Sequence, residues 1–89
     1  MPENEKTEPA VAADKILKDA VKETLEIVLE VVEPNEIGEH LGYRVEGERL
    51  LTHFFAANKE GYQGWHWAVT VSRVPRARRV TVSEIDLLP

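Results

Sequence analysis

Four arginines fall within the seven residues from Arg73 to Arg79, at positions 73, 76, 78 and 79. Guanidinium groups bind carboxylates and phosphates through two parallel hydrogen bonds, so a basic loop of this kind can grip either. Tyr62, Trp65 and Trp67 lie a short distance upstream. Their rings could stack on bases if the fold carries them to the same surface. Arg73, Arg76, Arg78, Arg79, Tyr62, Trp65 and Trp67 are therefore the candidate binding residues. Two partners suit them: another protein, or a nucleic acid.

Other chemistries find weaker support. His40, His53 and His66 are the neutral ligands a metal would use, but no H-x-x-x-H or H-E-x-x-H spacing joins them. Adjacent strands could still bring His53 and His66 together, with His40 approaching from a connection. The simpler reading gives them separate packing and hydrogen-bonding roles, and we assign no metal. Glu39, Glu46, Glu48 and Asp86 could serve in acid–base chemistry. Ser72, Ser83, Thr52 and Thr70 carry hydroxyls, yet none sits in a G-x-S-x-G context. Gly38 and Gly42 lack the lysine and hydroxyl residue of a phosphate loop, and no strand is predicted before them. The sequence thus names no catalytic residue and no cofactor, and it reads as a non-catalytic domain.

Charge is divided unevenly. Residues 1–39 carry 4 basic and 11 acidic side chains, whereas residues 40–89 carry 7 basic and 5 acidic ones, for a net charge of -5 over 89 residues. An acidic chain is a poor general binder of nucleic acid, but the basic stretch could act locally. The first half could equally shield the arginines until a partner displaces it. Cysteine is absent, so disulfides and thiolate metal sites are excluded. The opening residues form no signal peptide, and no apolar run is long enough to span a membrane. These features lead us to expect a cytoplasmic protein.

The elements that must position the candidates follow from periodicity. Residues 1–8 read as a disordered acidic tail, and residues 9–89 as a single domain. A helix is expected from about residue 10 to Glu33, with Thr7 and Pro9 near its start and Pro34 beyond its end. At about 100° per residue, Leu17, Ala20, Val21, Leu25, Ile27, Val28, Val31 and Val32 gather around Ile16 in one half of the wheel. Asp14 is a charged intruder there, and Leu29 an apolar intruder on the charged half. So broad an apolar face suits packing on a sheet and favours a homodimer as well.

Beyond Pro34 the period changes to two. The stretch from Asn35 to Gly42 reads as a connection. Strands are expected between about residues 43 and 87, with a tight turn at Glu46–Glu48 and a longer one at Asn58–Gly64. Trp65, Trp67, Val69 and Val71 alternate with His66, Ala68, Thr70 and Ser72, so the first set should face the helix. The competing reading places a tryptophan on an accessible platform. Apolar residues on both faces of Leu50–Ala57 suggest a central strand. The fold class is α+β: an amphipathic helix on a small curled antiparallel sheet, with closure into an SH3-like barrel as one form it could take.

Several short pieces together carry a resemblance. They are Gly38-Glu39-His40-Leu41-Gly42, Glu46-Gly47-Glu48-Arg49, Gly61-Tyr62, Gly64-Trp65, Trp67 to Val71, Pro75-Arg76-Ala77 and Val80-Thr81-Val82. From about Glu33 to Pro89 the chain resembles the N-terminal part of an uncharacterised actinobacterial family, domain of unknown function 3027. The resemblance implies an actinobacterial source and relatives that are longer. It brings no catalytic residue with it.

Overall fold

The computed structural model describes residues 12–89, so the expected acidic tail and the caps at Thr7 and Pro9 lie outside the described residues. Two short helices, α1 (Lys15–Asp19) and α2 (Val21–Val28), precede a 3-10 turn at Pro34–Glu36. Four strands follow: β1 (Ile37–Gly47), β2 (Leu50–Ala57), β3 (His66–Ser72) and β4 (Thr81–Leu88). They form one antiparallel sheet in sequence order, with β1 and β4 as its edges. The sheet stays open and does not close into a barrel. The α+β class holds, and β2 is central, as its two-sided apolar pattern requires.

One expected helix is two. The break lies at Ala20, whose ψ of 39° leaves the helical region. Its cause is long-range. The carbonyl of Leu17 accepts from His53 Nε2 at 2.7 Å as well as from the Ala20 N–H at 3.2 Å. A continuous helix would have reserved that carbonyl for the fourth residue onward. The imidazole comes from the centre of the sheet, so wheel periodicity could not foresee it. At the start, Asp14 caps α1 through its side chain, which accepts from the Leu17 N–H at 3.1 Å. Past α2, backbone bonds continue as far as Val32, so the expected stop before Pro34 is nearly right.

A second difference concerns Ile37–Gly42, expected as a connection and found as the first half of β1. Its two glycines read as turn residues, but they serve an irregular strand. Pairing with β2 shifts register between Ile37 and His40 and again between His40 and Gly42. Gly42 sits at φ +146, and a Cβ on Gly38 would stand 3.1 Å from Asn58 Nδ2. Glycine within a strand commonly marks such a bulge or a close approach.

The helices cover one face of the sheet. Leu17, Ala20, Val28 and Val32 meet Ile37, Leu51, Phe55, Val69, Val71 and Val80 in a single core. Trp67 packs at its edge and donates its indole N–H to the Glu36 carbonyl at 2.9 Å. Most of the helix's apolar half is thus used by its own sheet; Leu29 and Val31 remain exposed.

His53 is buried on the inner face beneath α1. A carbonyl only accepts, so His53 Nε2 must carry the proton that bonds Leu17 O. Its Nδ1 is then an acceptor and receives the His40 Nε2–H at 3.0 Å. Burial pushes both imidazoles below the ordinary histidine value of 6.5. Protons therefore bind the unfolded chain more readily, and stability should fall as pH drops below about 6.5. We expect urea unfolding to show lower stability at pH 5.5 than at pH 7.5. The substitution His53→Leu should cost about 2 kcal/mol at pH 7.5, because it removes a buried bond to the Leu17 carbonyl and leaves His40 Nε2–H without its acceptor, and should flatten most of that pH dependence. An unchanged pH dependence in this variant would contradict the assigned hydrogen-bond chain.

Candidate functional site

The seven candidate residues do not form one surface. In an antiparallel meander, successive turns emerge at alternate ends of the sheet. Tyr62 and Trp65 lie in the β2–β3 turn, and Trp67 is the second residue of β3. The arginines lie in the β3–β4 loop at the other end. Seven residues of strand separate the two loops, roughly 20 Å. The arginine end instead meets the β1–β2 turn, where the Arg73 N–H contacts the Arg49 carbonyl at 3.4 Å. The expected union of arginines with aromatics is thereby corrected.

At the aromatic end, Tyr62 and Trp65 stack edge to face with ring centroids 4.8 Å apart. Trp65 precedes β3 and is half-buried, so only Trp67 of the two indoles is part of the inner strand face. Trp67 spends its N–H on the Glu36 carbonyl. Lys59 pairs with the Glu36 carboxylate at 3.1 Å. These contacts fasten the turn to the start of β1.

At the other end, Arg73 differs from the remaining arginines. Its Nε and Nη2 donate to the two carboxylate oxygens of Asp14, at 2.9 and 2.8 Å. Its Nη1 donates to the Ala77 carbonyl at 3.0 Å and lies 3.4 Å from that of Val74. Arg73 is a brace that joins α1 to the loop, and its side chain is only 15 % exposed. Asp14, the charged intruder on the apolar half of the helix, is explained by this partner. The hydrogen bonds from Arg73 hold its carboxyl below the ordinary aspartate range.

The brace shapes what lies between its contacts. Ala77 N–H bonds Val74 O at 3.1 Å, and Arg76 has φ +69. With Pro75 before it, this is a type II turn whose third position favours glycine. An arginine there carries backbone strain of about 1 kcal/mol. Val74, Arg76, Arg78 and Arg79 are all exposed. Among the described residues, none of these three arginines enters an ion pair. Arg78 and Arg79 border an open cleft of about 560 Å³ with Lys15, Ile16, Asp19 and Glu23.

The candidate catalytic groups stay apart. His40 and His53 lie on the inner side of the sheet, and His66 packs edge-on against Phe54 at 5.4 Å. Thr52 and Thr70 face outward. Thr52 donates to Glu46 at 2.7 Å, and Thr70 is 3.1 Å from Thr52. The bond from Thr52, with that from Arg44 at 3.0 Å, lowers the Glu46 carboxyl below its usual range. No hydroxyl among them bonds a histidine, and the described residues contain no group of three or more metal ligands. The outward polar row was missed in the sequence, although Arg44, Glu46, Thr52 and Thr70 alternate on their strands in step.

The fold and its loops define a small α+β domain, an open four-stranded meander under a broken helix. The chain belongs to the family described as "Protein of unknown function (DUF3027)", which matches residues 38–89. Among curated relatives it is similar to uncharacterized proteins of Mycobacterium bovis and Mycobacterium tuberculosis, 38 % identical over 74 residues. The alignment covers 83 % of this chain and 28 % of each relative, so the chain spans little more than a quarter of their length. No solved structure matches it. Among the described residues no helix is long and apolar enough to cross a membrane.

Two substitutions separate brace from display. Arg73→Ala should lower stability by about 2 kcal/mol, since it strands a largely buried carboxylate and releases two carbonyls. Arg76→Gly should raise it by about 0.5–1 kcal/mol by relieving the left-handed backbone. Equilibrium urea unfolding reads both; a neutral Arg73→Ala would refute the bracing role.

Proposed function

We propose that this is a cytoplasmic, non-catalytic domain that docks on an acidic segment of a protein through its arginine turn. The observation that carries the reading is the division of labour in the loop. Arg73 turns inward and fixes the backbone, leaving Arg76, Arg78 and Arg79 displayed beside the exposed side chain of Val74. A loop held in its binding conformation loses less entropy on association. Three guanidinium groups and one apolar side chain suit a partner with carboxylates around an aliphatic residue.

A nucleic acid would value the same charges but would also need stacking rings. Tyr62 and Trp65 are at the far end of the sheet. Their distance from the arginines favours a protein partner.

Fluorescence anisotropy provides the test. A labelled peptide of alternating glutamate and leucine should bind the protein at low salt. The triple substitution R76A/R78A/R79A should weaken it at least about tenfold, on the order of 0.5 kcal/mol per exposed charge pair. Single-stranded and duplex DNA and RNA of similar length form the other arm. Tighter binding of any of these than of the peptide would overturn the protein reading in favour of nucleic acid.

A further inference from the structure

The helical segment ends in a patch that mirrors the arginine turn. From Glu23 to Glu36 there are five glutamates and no lysine or arginine. Glu26, Leu29, Glu30, Val31 and Glu33 are exposed, and Val31 is 74 % so. Large aliphatic side chains in water beside carboxylates are the surface chemistry that the arginine turn calls for, since Val74 is 67 % exposed beside its own charges. Among the described residues, Glu26, Glu30 and Glu33 form no ion pair.

Within one molecule the turn does not reach the far end of this patch, at Glu33. The arginine turn is tied to the beginning of α1 through Asp14 and Arg73. The acidic patch lies at the other end of the helical segment, where the chain passes into Pro34–Glu36. That end is fixed to the aromatic end of the sheet by Trp67 on the Glu36 carbonyl and Lys59 on its carboxylate. From Glu23, which borders the same cleft as Arg78 and Arg79, to Glu33 the helix and turn extend on the order of 15 Å. The acids near the turn itself, Asp19 and Glu23, stand among Lys15, Lys18 and Lys22, so local charge there is balanced. The unbalanced acids therefore run away from the turn, toward Glu33.

We infer that the arginine turn of one copy docks on the acidic end of α2 in a second copy, head to tail. This rests on the turn being the docking element proposed above and names its partner. Charge complementarity steers the contact and makes it salt-sensitive, while Val74 against Leu29 and Val31 supplies the apolar centre. Such a contact is heterologous. Each added copy leaves one turn and one acidic end unused, so association proceeds to chains or rings and does not stop at a two-fold dimer.

Sedimentation velocity on the 89-residue protein, from micromolar to millimolar concentration at low salt, tests the inference. The wild type should grow beyond a dimer with concentration and revert to monomer as salt is raised. R76A/R78A/R79A and E26A/E30A/E33A should each be monomeric alone, with melting curves showing a folded domain. Mixed, they should give a 1:1 heterodimer and nothing larger, because each retains the surface the other lacks. A charge-reversed pair, R76E/R78E/R79E with E26K/E30K/E33K, should likewise associate only when mixed. A wild type that stays monomeric at millimolar concentration, or a mixture that fails to combine, would overturn the inference. If the glutamate–leucine peptide still bound the turn in that case, the docking reading would stand without a second copy as partner. Loss of peptide binding as well would remove both.

Discussion

The fold turns on one buried hydrogen-bond chain, from His40 to His53 to the carbonyl of Leu17. It passes from an edge strand through the central strand to the helix. A polar group in a core costs stability unless it is satisfied. Here each member satisfies the next, and the direction of donation is fixed by the carbonyl at the end. The same bond explains why the helix cannot run straight, since it draws the carbonyl of Leu17 toward the sheet just where the backbone leaves helical geometry. A small core with no disulfide gains orientation from such a contact as well as stability, because an imidazole between two fixed partners admits one register.

Much of the architecture was legible in the sequence. The switch from a helical period to alternation after Pro34 gave the class, and the two-sided apolar pattern of Leu50–Ala57 gave the central strand. Val69 and Val71 lie where alternation put them. What escaped was non-local. Nothing near Ala20 announces a break whose cause is His53 in a distant strand. Gly38 and Gly42 carried a turn signal, but the same residues serve bulged strands, and only pairing with β2 distinguishes the two uses.

The candidate site shows the same limit. Composition picked out the arginine stretch as the most concentrated positive charge in the chain, yet it could not tell that Arg73 is turned inward. The clue was present in Asp14, a carboxylate on an otherwise apolar half of a helix. Such a residue needs a cation, and the nearest one in space was 59 residues away in sequence. Closeness in the sequence likewise suggested that Trp65 and Trp67 would lie near Arg73; a strand between them makes them far apart. Membership of the family adds relatives from mycobacteria but leaves the reading of these loops to physical argument.

The order of elements along the chain has a consequence for biosynthesis. The helical segment leaves the ribosome first, while its docking surface is spread over all four strands and ends with Ile85. At about 5–20 residues per second, several seconds pass between the emergence of Val32 and that of the last strand. During that interval Leu17, Val28 and Val32 have no sheet to cover them. The nascent chain is therefore open to chaperones, or to neighbouring chains on the same messenger, until the final hairpin arrives and the meander can receive its helix.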